Sequence, residues 1–264
     1  VEPSLHPITA CCADLYGHPL AAFLLGDSFH PGGLTLTTEL AAVAGIDATH
    51  DVLDAGSGRG VSSVHLAETL GCRVTGLTIE AGGVAEGERL AAEHGVDDCV
   101  HFVQGDLMAM PAGLGPFDVI VMECVLSTVP DKREALASMR RALKPGGTLA
   151  ITDVTREGEV PPALEGVTAA ALCLAGAVSL DTYASVIADA GFAVQRASDL
   201  PNVVGGFIDQ AARGLLFADI AVGLGKLKIE RTMLEPANQA LKAARALANE
   251  GRLGYGLVVA TAFA

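Results

Sequence analysis

From residue 51 onward, short apolar runs alternate with stretches whose apolar positions recur every three or four residues. The runs "DVLDAG" (51–56), "CRVTGLTI" (72–79), "CVHFVQGD" (99–106), "FDVIVMEC" (117–124) and "TLAITDV" (148–154) are short, apolar and bounded by turn residues, which predicts buried strands. Between them, "VSSVHLAETLG" carries helical spacing with a glycine stop at Gly71, and "KREALASMRRAL" does the same before the turn expected at "KPGG" (144–147). "AGGVAEGERLAAEHG" also reads as a helix, weakened by its glycines. Strands alternating with helices at this pace predict a parallel sheet covered on both faces.

The flanks are less regular. Residues 1–45 predict helix in pieces, interrupted by the turn signals "GHP" (17–19) and "HPGG" (30–33). After the fifth strand, "PPALEGVTAAALCLAGAV" (161–178) predicts a helix, and "SLDTYASVIADAG" (179–191) another, opened by Ser179 or Asp181. "FAVQRASDL" (192–200) is a sixth strand, 205–250 a helical block, and "GYGLVVATAFA" (254–264) a final strand. No internal repeat and no long linker divides the chain. The pattern gives a helical cap segment at 1–45, a core at 46–200, and at 201–264 a helical insertion and last strand of the same domain.

Composition narrows the function classes. Half of the 264 residues are apolar, enough for a sizeable core. A formal charge of −14 with no basic cluster argues against a nucleic-acid partner. The longest apolar stretches, such as "VTAAALCLAGAV" (167–178), are too short to span a bilayer, and the first residues lack the pattern of a secretory signal. Six cysteines without regular spacing do not form a disulfide framework, so a reducing, cytoplasmic setting is expected. The acidic balance reads as solubility, and the oligomeric state is left open.

The candidate chemistry starts at "DAGSGRG" (54–60), between a strand and a helix. Gly56 and Gly58 let backbone approach a ligand, and the helix start offers free N–H groups. Nicotinamide and flavin folds share such turns. The order of the further features is more specific: "HFVQGD" ending in Gly105–Asp106, then "FDVIVMEC", then "LKPGGTLAITD". Together, over roughly 50–155, these resemble the class I S-adenosylmethionine-dependent methyltransferases. The resemblance implies a Rossmann-like methyltransferase fold: an α/β protein with a mostly parallel seven-stranded sheet, helices on both faces, an N-terminal helical segment and a helical insertion before the last strand. It implies S-adenosyl-L-methionine as cofactor. Asp54, Gly56, Ser57 and Gly58 would meet its methionine and ribose part, and Gly105, Asp106 and Leu107 its adenine. Thr78 and Ile79 stand where many members carry a ribose-gripping acid, with Glu80 two positions on, and Glu123 closes the implied cofactor set.

The thiols extend the resemblance. Cys124 ends the fourth strand, Cys173 lies in the segment after the fifth, and Cys11 and Cys12 are adjacent in "ITACCADLYG". "ACC", "ECVLS" and "LCLAGA", in this order, resemble the arsenite methyltransferase family across most of 8–195. That resemblance implies Cys124 and Cys173 as ligands of trivalent arsenic, Cys11 or Cys12 as an outer thiol, and a thiol reductant as partner. "LLGDSFHPGG" has Asp27 and Ser28 where four-cysteine members carry another thiol. The implied substrate is a small inorganic or organic metalloid. Soft arsenic prefers thiolates, so lowered cysteine pKa values are expected, and its lone pair needs no general base to attack a sulfonium methyl. Strand alternation turns Glu123 away from Cys124. The competing reading is a small-molecule O-, N-, C- or S-methyltransferase of natural-product metabolism with cysteines lining the pocket, since "GLTIE" resembles loops of sterol-type and natural-product enzymes. A third is a sequestering or scaffold protein. Cys72 and Cys99 read as core or incidental, His30 as a cover over the cofactor or a surface turn, and Arg59 as solvent-facing or a cofactor contact.

Overall fold

The computed structural model describes residues 30–164, 173–224 and 234–263. Seven strands form one sheet: β1 (Asp51–Ala55), β2 (Arg73–Thr78), β3 (Val100–Gln104), β4 (Phe117–Glu123), β5 (Leu143–Arg156), β6 (Phe192–Asp199) and β7 (Leu253–Ala262). Their order is β3-β2-β1-β4-β5-β7-β6, and only β7 runs antiparallel to its neighbours. The apolar runs are continuous because β1 and β4 lie between other strands and are covered on both faces. Among the described residues, seven helices flank the sheet: α1 (Gly33–Ala44), α2 (Val61–Leu70), α3 (Ala81–His94), α4 (Lys132–Ala142), α5 (Leu180–Asp189), α6 (Val203–Gly223) and α7 (Glu235–Asn249). This is the mostly parallel, seven-stranded arrangement that the sequence implied.

The helix boundaries follow local chemistry. Asp131 caps α4 by accepting from the Glu134 N–H at 3.0 Å. Ser179 caps α5 by accepting from the Thr182 N–H at 3.2 Å, which decides between the two residues the sequence offered. The glycines of α3 have a packing reason. A Cβ at Gly83 would stand 2.5 Å from the Gly58 carbonyl oxygen, and one at Gly87 would stand 2.7 Å from the Phe102 ring. Helix propensity is given up so that α3 can lie against the glycine turn and β3.

Two expectations are corrected. "KPGG" does not end an element: Leu143 already pairs with Phe117, and the ladder resumes at Val119–Thr148, so residues 144–147 bulge out within β5. The helix expected over 161–178 is absent from its described parts. Pro162–Leu164 is a single 3-10 turn, and from Cys173 the chain forms turns that bridge to β5 at Thr155–Val178. Among the described residues no helix is long and apolar enough to cross a membrane.

Three buried clusters hold the layers together. One, including Ile120, Leu136, Ile187 and Phe192, lies between the sheet and α4 and α5. A second, including Leu40, Val52, Val64 and Val100, lies under α1, α2 and α3. The third joins α6 and α7 to the carboxyl end of the sheet through Ile208, Leu215, Leu241 and Tyr255, and it contains Cys124 and Cys173.

Candidate functional site

Strand order reverses between β1 and β4, and a cleft opens beyond the carboxyl ends of the strands there, where open α/β sheets bind ligands. Its cavity volume is about 150 Å³, and it opens to solvent at its mouth. Its walls bring together Gly56, Gly58, Thr78, Ile79, Gly105, Asp106, Leu107 and Cys124 from the expected set. Leu77, Glu80, Met108, Val125 and the turn Thr128–Pro130 complete it, and these were not singled out as site residues in the sequence. Glu80 had a visible signal, an acid two positions after Thr78; the apolar walls had none.

The glycine turn is built for close approach. Gly56, Gly58 and Gly60 all have positive φ, at 90°, 53° and 86°. A Cβ at Gly58 would project into open space, and one at Gly56 would strike the Val125 side chain at 2.6 Å. The Gly56 and Ser57 N–H groups both donate to the Leu77 carbonyl, at 2.8 and 3.0 Å, fixing the turn to β2. Thr78 accepts from the Glu80 N–H at 3.5 Å, and Asp106 accepts from the Met108 N–H at 2.8 Å. The bare glycine turn and the two acids at the rim, Glu80 and Asp106, fit a nucleoside-bearing, positively charged cofactor such as S-adenosylmethionine.

Three expected cofactor residues do not line this cleft. Ser57 turns its buried hydroxyl toward the position of Gly76. Asp54 is 3% exposed and accepts from Ser63 Oγ at 2.6 Å. Glu123 points toward α1, where the Thr37 hydroxyl donates to its carboxylate at 3.0–3.1 Å. His30 completes a buried polar cluster behind the glycine turn: its Nε2 lies 3.2 Å from Ser62 Oγ and 3.7 Å from Glu123 Oε2. Burial pushes both Asp54 and Glu123 up to about 7, against the hydrogen bonds from Ser63 to Asp54 and from Ser62 and Thr37 to Glu123. The same burial lowers His30, so the imidazole is held neutral. Arg59 is paired with Glu86 at 2.6 Å and braces the turn against α3.

Cys124 and Cys173 meet. The Cys173 thiol lies 3.5 Å from the Cys124 carbonyl oxygen, and both side chains are buried in the cluster under α6 and α7. Both residues adopt left-handed backbone, φ 58° and 56°. Such a conformation costs a non-glycine residue about 1–3 kcal/mol, which the surrounding packing must offset. The expected lowering of the thiol pKa is not found at Cys124. Its hydrogen bond to Cys173, then burial, then charge repulsion from Cys173 and the nearby Asp153 carboxylate raise it, against a hydrogen bond from Tyr255, so the thiol is protonated. Among the described residues, no group of three His, Cys, Asp or Glu side chains is arranged to hold a metal ion. Cys11 and Cys12 lie outside the described residues. Cys72 is buried and Cys99 half-buried at the opposite end of the sheet, as the sequence suggested.

A family model described as a methyltransferase domain matches residues 46–196, more than half of the chain. The 27-O-demethylrifamycin SV methyltransferase of Amycolatopsis mediterranei is 28% identical over 239 residues, 85% of this chain and 82% of that protein. The arsenite methyltransferase of Halobacterium salinarum is 27% identical over 144 residues, 53% of this chain and 37% of that protein. For two further curated relatives the chain spans 59% and 64% of their length. In structure, the geranyl diphosphate C-methyltransferase of Streptomyces coelicolor, solved with S-adenosyl-L-homocysteine, superposes with a TM-score of 0.68 at 19% identity. That match covers 98% of this chain and 99% of that one, a likeness of fold.

Proposed function

The chain belongs to the methyltransferase-domain family, and from that premise we propose that it moves a methyl group from S-adenosyl-L-methionine to a small, largely apolar organic acceptor. The cofactor, once bound, supplies an electrophilic sulfonium methyl. The chain's own residues do the rest by placement. Gly56 and Gly58 admit the cofactor close to the backbone, Glu80 and Asp106 offer acceptors at the rim, and Cys124 and Val125 wall the cleft at the end of β4. Holding two reacting atoms in line is worth up to roughly 7–11 kcal/mol of barrier, so positioning alone carries much of such a transfer.

The observation that carries the organic-acceptor reading is the apolar lining of the cleft beside Cys124, to which Ile79, Leu107, Met108, Val125 and Val129 contribute. The 27-O-demethylrifamycin SV methyltransferase that aligns over 85% of this chain supports the same reading. A second reading, methylation of trivalent arsenic held by Cys124 and Cys173, is favoured by the meeting of the two sulfur-bearing residues and by the arsenite-methylating relative. Its two thiols would have to lose their protons on binding.

One experiment separates these readings. Incubation with methyl-labelled cofactor, a panel of apolar alcohols, amines and phenols, and trivalent arsenicals, followed by mass spectrometry, should show methylated organic product that persists in Cys124→Ser and Cys173→Ser variants. Methylated arsenic as the only product, lost in both variants, overturns the organic reading in favour of the second.

A further inference from the structure

The turn Cys124–Pro130, one wall of the cleft, is gripped from behind. Asp153 on β5 is 2% exposed; its Oδ2 accepts from the Ser127 N–H at 2.8 Å and its Oδ1 from the Val154 N–H at 2.7 Å. Lys132, the first residue of α4, donates from Nζ to the Val129 carbonyl at 3.3 Å and carries positive charge next to Asp153. The strap from Cys173 to Val178 closes over the same turn. A Cβ at Gly176 would stand 2.3 Å from the Ser127 carbonyl oxygen and 3.0 Å from Lys132 Nζ. The strap is anchored to the end of β5 where the Arg156 N–H donates to the Val178 carbonyl at 3.0 Å. The turn, the strap and the end of β5 therefore meet on one carboxylate and one ammonium.

We propose that Asp153, aided by Lys132, is a positioning residue for methyl transfer: its carboxylate holds the Cys124–Pro130 turn in the shape that closes the cofactor cleft. This rests on the reading of that cleft as the S-adenosylmethionine site. An ionised carboxylate accepts at both oxygens, whereas a protonated acid turns one oxygen into a donor and leaves either the Ser127 or the Val154 N–H unpaired. In a buried site such a loss is expensive. Burial pushes Asp153 up to about 6, against hydrogen bonds from Ser127 and Val154. The groups that face it are Lys132 from α4, Tyr183 from α5, Cys124 from the end of β4 and Tyr255 from β7. The tyrosines and Cys124 are neutral there, so Lys132 is the cation among them that holds the carboxylate ionised.

Calorimetric titration with S-adenosylhomocysteine from pH 5 to 8 tests this on wild type, Asp153→Asn and Lys132→Met. Wild-type affinity should fall as pH drops through about 6. Asp153→Asn should bind about 10-fold more weakly at pH 8, the size of one lost charge-assisted hydrogen bond, and lose that fall. Lys132→Met should keep most of the affinity at pH 8 but show the fall at higher pH, because the carboxylate loses its cation. Asp54 and Glu123 also titrate behind the glycine turn, but they are unchanged in both variants, so the differences between proteins carry the answer. Wild-type affinity and pH profile in Asp153→Asn, or an unmoved midpoint in Lys132→Met, overturn the proposal; the Lys132 variant decides if Asp153→Asn does not fold. A wild-type protein that binds no S-adenosylhomocysteine sinks the cofactor reading itself, and this inference with it.

Discussion

Phe102 on β3 sits in a nest made by three glycines from three different elements. A Cβ at Gly60 of the glycine turn or at Gly76 of β2 would stand 2.4 Å from its ring, and one at Gly87 of α3 would stand 2.7 Å away. Gly87→Ala therefore brings two opposed effects. Alanine in a helix interior gains about 1 kcal/mol over glycine. Against this, a methyl driven into a rigid ring costs about 1–3 kcal/mol. Gly82, on the same helix with nothing within 4 Å of its Cβ position, isolates the first effect. Gly82→Ala should stabilise by roughly 0.4–1 kcal/mol, less if its place in the first turn mutes the helix term. Urea unfolding of both variants should then separate them by about 1–3 kcal/mol, with Gly87→Ala below wild type or level with it. Phe102→Leu in the Gly87→Ala background should recover part of the loss by opening space beside the new methyl. If Gly87→Ala is as stable as Gly82→Ala, with both above wild type, the nest does not constrain the helix and the packing account of α3 is wrong.

Other outcomes follow from the polar sites. Glu123 is raised to about 7 in the folded chain from an ordinary value near 4.5, so the fold holds a proton that the unfolded chain releases between those limits. Its contribution is full below the lower limit and lost as pH rises through the upper one, while the lowered His30 acts in the opposite sense. Glu123→Gln should thus narrow the drop in Tm between pH 5 and 8 and exceed wild type at pH 8; parallel calorimetric profiles would refute the assignment. Asp106→Ala removes an acceptor from the rim and should weaken S-adenosylhomocysteine binding by roughly 5- to 100-fold, the range of a hydrogen bond to a ligand's polar group. Unchanged affinity would remove Asp106 from the cofactor site.

Much of the fold was legible because a central parallel sheet writes itself as uninterrupted apolar runs. "DVLDAG" and "FDVIVMEC" read as β1 and β4 because helical stretches follow each of them, the one after β4 opening on the cap Asp131. The glycine turn was legible for a related reason, since positive φ at Gly56, Gly58 and Gly60 demands a residue type that the sequence displays. "LKPGG" was misread because its turn chemistry is local, while the pairing of Leu143 with Phe117 that draws it into β5 is not. Residues 173–178 were expected in a helix, but what fixes this strap is its contact with Ser127 and Thr155, distant in sequence, while 165–172 lie outside the described residues. The cluster of His30, Thr37, Ser62 and Glu123 was invisible for the same reason. Each residue is unremarkable alone, and only the docking of α1 on β4 assembles them. The protonation state of Cys124 depended on Cys173 and Asp153, which no pattern along β4 contains.

β7 enters the sheet between β5 and β6, so Leu253–Ala262 join two strands made long before them. A chain emerging from the ribosome must keep both of those edges unpaired, and apart, until β7 has been synthesised. Slow translation or a stall in the α6–α7 region would lengthen that exposure, and the β5 and β6 edges are where nascent chains would first stick to one another.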